Sequence, residues 1–264
     1  MAEETQIASV NFTLSRHELL VVLDALDGAV IPGLTADPLG ELTPNQEQIA
    51  RVVAQRAMLA RGFIRMQEDS PALHRWIADA IATCAFAPSA LMVIHRTPEA
   101  SPYQLYAHLG EDNIVSHIPM PDALHAFAIL PSKELLTDQI DAIVGLPEDA
   151  EAGAETFSLS SEVFSQVRDL VDAGDVEAAI RLLQEAGVRS GNAETFAKAL
   201  GDNPAVTVFH WVHVDESGAS EEKDFTVIRN GGRAWLLVAA GDQIQARAIS
   251  KPEFRTFLTQ LFNE

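Results

Sequence analysis

Apolar residues recur along the chain with two spacings, three or four positions apart in some segments and every second position in others. The first spacing is typical of an amphipathic helix and the second of a half-buried strand. Near the start, NFTLS at residues 11–15 predicts a short strand, and HELLVVLDAL at residues 17–26 predicts a helix after it. Ser15 is placed to cap this helix, and Glu18, three residues on, completes a capping box.

A second helix is predicted after TPNQ, with Thr43 as its cap and Pro44 at the first helical position. Its apolar side chains fall on one face of the helix and are Ile49, Val52, Val53, Ala57 and Ala60. Gly62 suits the left-handed position that ends such a helix. Between the two predicted helices, residues 27–43 form a loop rich in turn residues.

The opening pattern returns about half a chain length later, as TFSLS at residues 156–160 followed by SEVFSQVRDLV, with Ser160 as the cap. Further on, SALMVIH at residues 89–95 matches PAVTVFH at residues 204–210. DALHAFAI, which begins at Asp122, matches DQIQARAI, which begins at Asp242. The order of predicted elements is the same in both parts: strand, three helices, three strands, helix. The sequence therefore predicts an internal duplication.

The predicted fold class is α+β. We expect two pseudo-twofold-related halves, each with a largely antiparallel sheet of three to four strands and flanking helices. The boundary is placed in GLPEDAEAGAET, a short acidic segment that contains Gly and Pro. The first half comprises residues 1–146 and the second half residues 156–264, and residues 147–155 form the linker. A linker this short favours two halves packed as one globular unit.

The composition indicates a folded protein without affinity for polyanions. Of the 264 residues, 47% are hydrophobic and 21% are charged, which is ordinary for a globular domain. There are 38 acidic and 18 basic residues, so the formal net charge is −20, and the basic residues are scattered along the chain. Phosphate backbones and anionic membrane surfaces attract clusters of Lys and Arg. We therefore expect no binding to nucleic acid.

The longest apolar stretch, WIADAIATCAFAPSALMVI at residues 76–94, has about the length of a membrane span. Asp79 and Pro88 interrupt it, so it predicts a helix, a turn and a strand, and no membrane span. Cys84 is the only cysteine, and its Ala and Phe neighbours favour a small core residue. The opening MAEETQ lacks the basic and apolar regions of a signal peptide, so the expected location is the cytoplasm.

Motifs that carry chemistry are absent from the sequence. It contains no Gly-rich phosphate-binding loop and no nucleophile elbow, and HELLV at residues 17–21 lacks the second histidine of a zinc-protease helix. No catalytic residue, cofactor or metal is predicted. His95 and His210 do occupy matching positions in the two parts, so they either meet near a twofold axis as a functional pair or each hydrogen-bonds locally at a strand end. The local alternative is favoured.

Two segments are candidates for binding another protein. The loop at residues 27–43 carries Ile31, Leu34 and Leu39, which either cap an apolar end of the core or contact a partner. DESGASEEKD at residues 215–224 predicts an acidic hairpin tip, either a solvated turn or a binding element. The candidate partner-binding residues are Asp215, Glu216, Glu221, Glu222, Ile31 and Leu34.

Several segments together resemble the EspG-type chaperones of type VII secretion. They are HELLVVLDAL, then IPGL, then the helix ending LARGFI, and near the C-terminus GGRAWLLVAAGDQIQARAISKPEFRTFLTQLF. The resemblance covers nearly the whole chain in outline, and no substrate-contacting residue of the family maps to a particular position. It implies a cytosolic protein of two quasi-twofold α/β halves that shields secreted PE–PPE pairs.

Three functions are compatible with these patterns. The preferred one is a non-enzymatic chaperone or adaptor that binds another protein, for which a helical secretion substrate is a candidate. The alternative is an enzyme of unknown reaction with a site at the interface of the two halves, near His95 and His210. The third is a self-associating structural or regulatory module, and the strong negative charge argues against a DNA-binding version of it.

Overall fold

The computed structural model of the protein describes residues 9–34, 36–37, 40–67, 70–148, 156–201 and 203–263. These residues form twelve strands and eight α-helices. The elements up to residue 148 are β1 (Val10–Ser15), α1 (Arg16–Ala25), α2 (Pro44–Ala60), β2 (Ile64–Gln67), β3 (Ser70–Leu73), α3 (Arg75–Phe86), β4 (Ser89–Thr97), β5 (Ala100–Leu109), β6 (Ile114–Met120), β7 (Leu124–Leu130) and α4 (Lys133–Val144). The elements from residue 156 on are β8 (Thr156–Ser160), α5 (Ser161–Asp172), α6 (Val176–Glu185), α7 (Ser190–Leu200), β9 (Ala205–Val214), β10 (Ser220–Asn230), β11 (Arg233–Ala240), β12 (Gln243–Ala248) and α8 (Lys251–Leu261).

Ten strands form one large antiparallel sheet in the order β1-β7-β6-β5-β4-β9-β10-β11-β12-β8, and β2 and β3 form a separate hairpin. The fold class is therefore α+β. The sequence predicted three to four strands on each side of its boundary, whereas each side supplies five strands of this sheet. On the first side, β5 begins with the exposed residues 100–103, whose sequence ASPY lacks the alternation that marks a half-buried strand.

The predicted helix caps are confirmed, because they depend on local sequence alone. The Ser15 hydroxyl accepts from the Glu18 N–H at 3.3 Å, while the Glu18 carboxylate accepts from the Ser15 N–H at 2.8 Å. Thr43 caps α2 in the same reciprocal way, and the Ser160 hydroxyl accepts from the N–H at the third position of α5. These bonds satisfy backbone donors that the first turn of a helix leaves unpaired.

The apolar stretch at residues 76–94 folds as its sequence predicted. The helix α3 ends at Phe86, Pro88 follows in the turn, and β4 begins at Ser89. Cys84 is a core residue with 4% of its surface exposed, and burial raises the pKa of its thiol. Within the part of the chain that the structure describes, no helix combines the length and apolar character needed to cross a bilayer.

The described residues fall into two compact units. The first takes those within 9–91, 104–133 and 213–220, and the second those within 92–103, 134–212 and 221–263. Of the predicted linker, residues 149–155 lie outside the described residues. The predicted domain boundaries therefore stay a prediction.

The core of the first unit is centred on Phe12 of β1. Its ring stacks on Phe127 at 5.1 Å between centroids and meets Trp76 edge-on at 5.0 Å. Such aromatic pairs contribute about 1 kcal/mol each beyond the area they bury. Leu19 and Val22 of α1 complete this core and are fully buried. The strand and helix predicted at the start of the chain thus anchor the first unit.

The core of the second unit has the same kind of centre. The ring of Phe196 from α7 meets Trp235 of β11 at 5.1 Å and Phe157 of β8 at 5.3 Å, both edge-on. Val167 and Leu183, from α5 and α6, are fully buried in the same cluster. The three helices α5–α7 are therefore held against the sheet by one aromatic cluster.

Candidate protein-binding site

The candidate residues of the long loop face the first unit. Ile31 has 2% of its surface exposed, and Leu34 is partly buried against the same core. Between them, Gly33 has φ +77°, and a Cβ there would lie 2.4 Å from the ring of Tyr106. The loop is thus fixed on Tyr106 where only glycine fits. Leu39 lies outside the described residues. Partner contact by Ile31 and Leu34 stays a prediction.

The acidic hairpin tip is a closed turn whose carboxylates differ in role. Oδ1 of Asp215 accepts from the hydroxyl of Ser217 at 2.6 Å and from the N–H groups of Ser217 and Ala219 at 2.8 and 3.0 Å. These bonds hold the pKa of Asp215 below its usual range. Glu216, Glu221 and Glu222 are exposed. Asp215 therefore shapes the turn. Glu221 lies 3.2 Å from the ammonium of Lys223, and Glu216 and Glu222 present their charge to solvent.

His95 and His210 each make a hydrogen bond to the side chain of a residue on another strand. Nδ1 of His95 lies 2.8 Å from the Thr207 hydroxyl, and Nδ1 of His210 lies 2.7 Å from the carboxylate of Asp224. Burial, and then the charge of Arg229, lower the pKa of His95. The His210 bond joins residues 14 positions apart, whereas the His95 bond joins residues 112 positions apart and crosses the predicted boundary between the halves. Among the described residues, no group of three His, Cys, Asp or Glu side chains could hold a metal ion.

The helix α2 presents an apolar face to solvent, which the sequence pattern did not reveal. Ile49 is 56% exposed and Val53 is 59% exposed, and Val52 and Leu59 also exceed 40%. Because Met58 is fully buried and Ala54 is 5% exposed, α2 packs on the first unit through a different stripe. Contiguous exposed apolar surface of this kind marks an interaction site more often than a free surface.

A groove of about 690 Å³ runs along this face of α2, and we call it the α2 groove. Ile49, Val53 and Ala57, at successive i, i+4 positions, form one wall, and Leu42 and the start of α1 form the other. The alanines on this face let a partner backbone come close. With 1.5 Å of rise per residue, the stripe from Ile49 to Ala57 is about 12 Å long, or roughly two helical turns.

Charged groups at the border of the α2 groove are already paired. The guanidinium of Arg61 binds both carboxylate oxygens of Glu18, at 2.9 and 3.0 Å, and donates to the carbonyl of Thr13 at 2.6 Å. The groove therefore offers apolar contacts with little unbalanced charge, which suits uncharged apolar side chains.

Sequence reasoning found the helix but not its orientation. The residues Ala50, Ala54 and Met58 form a second stripe at i, i+4 spacing beside the stripe of Ile49 and Val53. A helix that packs against the core with one face needs only one apolar stripe of this kind. Two adjacent stripes are the signal that could have indicated a face left over for a partner.

Comparison with known proteins identifies a similar fold among the solved structures. No protein-family model and no curated protein matches it. Among solved structures, the fold is similar to that of the Mycobacterium tuberculosis type VII secretion system chaperone EspG5, solved in complex with the PE25–PPE41 dimer. The TM-score is 0.66 over 96% of both chains, at 11% sequence identity. At this identity the likeness shows a shared fold.

A second solved structure was also matched, a trans-AT PKS dehydratase domain from Brevibacillus brevis. The identity is 11% over 92% of this chain and 94% of that domain, but the TM-score is 0.12. That value is too low for a shared fold, so this match carries no argument.

Proposed function

We propose that this chain is a non-enzymatic protein-binding chaperone or adaptor for a secreted partner of the PE–PPE kind. The observation that carries the proposal is the fold shared with EspG5 over 96% of both chains. That chaperone was solved with a PE–PPE dimer bound. The segments that resemble the EspG-type family in outline agree with this proposal.

The strand order of the sheet supports the further proposal that the chain contains two related halves. Read from one end, the order is β1-β7-β6-β5-β4, and read from the other it is β8-β12-β11-β10-β9. The three sequence matches place β1, β7 and β4 opposite β8, β12 and β9, which are the first, second and fifth strands of the two series. An ancestral duplication explains this symmetry more simply than independent folding of two unrelated segments.

The α2 groove is the proposed contact for an apolar helix of the partner. Its wall of Ile49, Val53 and Ala57 has the spacing that a docked helix requires, and the charges beside it are paired within the chain. Recognition of a helix in a groove relies on such i, i+4 anchors. A partner helix with an uncharged apolar face thus complements this surface, whereas a charged face would lose hydration without a counterion.

The enzyme alternative gains no support from the two matching histidines. His95 and His210 are each engaged with a neighbouring strand residue.

Co-expression tests the proposal. The tagged chain is produced with each PE–PPE pair encoded by its source organism, and the mass of the purified complex is measured by light scattering. We expect a stoichiometric complex with at least one pair. Val53→Glu should weaken it at least tenfold, equivalent to about 1.4 kcal/mol. Met66→Glu is the matched control, since Met66 is 57% exposed, close to the 59% of Val53, and lies outside the groove. The proposal is overturned if no pair forms a complex.

A further inference from the structure

Phe86, at the end of α3, is two-thirds exposed, with 67% of its surface open to solvent. The preceding turns of α3 are firmly held, because Ile77 and Ile81 are fully buried in the first unit. A large aromatic side chain on a rigid element is therefore presented outward. Aromatic residues in such positions dominate the binding energy of many protein interfaces.

An open cleft of about 510 Å³ lies beside Phe86. Its far side is the turn that joins β5 to β6, which is closed by a hydrogen bond from the Gly110 N–H to the Asn113 carbonyl at 2.9 Å. A Cβ on Gly110 would lie 3.2 Å from the methyl group of Thr83 on α3. The turn thus packs closely on α3, and this contact sets the width of the cleft.

The border of the cleft is acidic. The turn carries Glu111 and Asp112, both exposed and without a basic partner among the described residues. Arg75 also lines the cleft, but its guanidinium lies 3.3 Å from the carboxylate of Asp79. Arg75 therefore neutralises Asp79 and leaves the charge of Glu111 and Asp112 uncompensated.

The acidic hairpin adjoins the same end of α3. The N–H of Val214 donates to the carbonyl of Pro88, a residue of the cleft, at 2.8 Å. Asp215 and Glu216 follow Val214 directly, and Val214 itself is 41% exposed. The hairpin tip predicted from the sequence as a binding element is thus continuous with the cleft.

We propose that this surface binds a basic segment of the partner, which places an apolar side chain against Phe86. The Phe86 surface is defined as Phe86, Pro88, Val214, Glu111, Asp112 and Glu216. Its apolar centre gives affinity, and its carboxylates attract and orient Lys or Arg side chains. The ring face of Phe86 adds a favourable site for a cation. This inference rests on the proposed protein-binding function and adds the charge of the segment that the partner must supply.

Two labelled peptides test it. One is an amphipathic Lys–Leu peptide of about 18 residues, which is five helical turns, and the other has every Lys replaced by Glu. Binding to the full chain is measured by fluorescence anisotropy at low and moderate salt. We expect the Lys peptide to bind and the Glu peptide not to bind. Phe86→Ser, and separately Glu111→Lys with Asp112→Lys, should each weaken binding at least tenfold.

Matched controls separate this surface from the general negative charge of −20. Met66→Ser removes an exposed apolar side chain outside the Phe86 surface. Asp169→Lys with Glu185→Lys makes the same change in net charge at exposed positions of α5 and α6. We expect these controls to bind the Lys peptide with a dissociation constant within about twofold of that of the unaltered chain. The test variants should instead weaken binding at least tenfold, which corresponds to about 1.4 kcal/mol. Circular dichroism checks that every variant is folded.

The inference is overturned if the two peptides bind alike, if neither binds, or if the controls weaken binding as much as the test variants. Its failure can be told from that of the proposed function. A PE–PPE complex that forms while the Lys peptide does not bind removes this inference alone. Peptide binding that depends on Phe86, with no complex for any PE–PPE pair, removes the proposed function and leaves the surface.

Discussion

Arg61 and Glu18, 43 positions apart, form an ion pair at the end of α2, in which Nη1 of Arg61 donates to both carboxylate oxygens of Glu18. Glu18 has only 4% of its surface exposed, and its carboxylate also completes the capping box of α1. One buried carboxylate thus joins the start of α1 to the end of α2. The α2 groove depends on this pair for the relative position of its two walls.

Removing Arg61 should therefore destabilise the first unit. Arg61→Ala leaves the buried Glu18 carboxylate without its counterion. We expect a loss of about 2 kcal/mol in the free energy of unfolding, which is less than for a fully buried ion pair because Arg61 is partly exposed. Urea unfolding measures it. Arg75→Ala is the matched control, since that exposed pair should contribute less than about 0.5 kcal/mol. Equal losses in the two variants would contradict the assigned role of Arg61.

Mutations in α2 should separate its two stripes. Met58→Ala removes a fully buried side chain, so we expect a loss of about 3 kcal/mol in unfolding free energy. Val53→Ser changes an exposed side chain, so the change should be within about 0.5 kcal/mol. Thermal or urea unfolding distinguishes the two. A larger loss for Val53→Ser than for Met58→Ala would mean that α2 packs through the opposite face.

A second ion cluster lies between α4 and α8. Arg255 donates to Asp141 at 3.2 Å and to Asp138 at 2.6 Å, and the Lys251 ammonium lies 3.3 Å from Asp141. Only Asp141 is buried. Asp141→Ala should therefore cost about 2 kcal/mol of stability, and the exposed Asp138→Ala less than about 1 kcal/mol. Parallel urea titrations of the two variants give the comparison, and a reversed order would contradict this assignment.

Buried histidines of the first unit should make stability depend on pH. Nε2 of His117 lies 2.9 Å from Nδ1 of His125, and both side chains are fully buried. Burial is the main cause that lowers the pKa of both, and burial lowers the pKa of the nearby His108 from 6.5 to about 4. Each folded-state pKa lies below its unfolded value. As the pH falls below about 6.5, these histidines take up protons in the unfolded state before they do so in the folded state. The free energy of unfolding is therefore highest above this pH and decreases as the pH falls towards the folded-state pKa values.

Urea unfolding at several pH values between about 4.5 and 7 checks this dependence. One histidine that titrates only in the unfolded state contributes a slope of about 1.4 kcal/mol per pH unit. His117→Gln keeps a polar group beside His125 but does not titrate in this range, so the slope should fall by about one proton. An unchanged slope would show that His117 is protonated alike in the folded and unfolded states.

Local signals in the sequence were sufficient for the number of helices, the helix caps and the turn at Pro88. Each of these is set by residues within a few positions of one another. Local signals were not sufficient for the β2–β3 hairpin or for the fourth strand before the last helix of each part. The His117–His125 contact was not predictable in this way, because it requires the register in which His117 lies opposite Phe127 and Pro119 opposite His125 across β6 and β7. The predicted number of strands in the sheet was also too low, with three to four on each side where the structure has five.

The two binding surfaces required information that no pattern within one element contains. The shape of the surrounding core decides which apolar stripe of α2 is buried. The ion pair between Arg61 and Glu18 joins two different helices. Likewise Phe86 looked like one more apolar residue in an apolar stretch. Its exposure follows from where α3 stops relative to the turn at Gly110, which is a tertiary relation.

The hydrogen bond from Arg61 to the carbonyl of Thr13 has a further consequence. Among the described residues, β1 is an edge strand of the sheet, and edge strands carry backbone groups that can pair with another chain. A guanidinium seated on one of these carbonyls occupies a position that an incoming strand would need. We therefore expect Arg61 to hinder aggregation through this edge of the sheet. Arg61→Ala should increase light scattering on storage and also lower the free energy of unfolding.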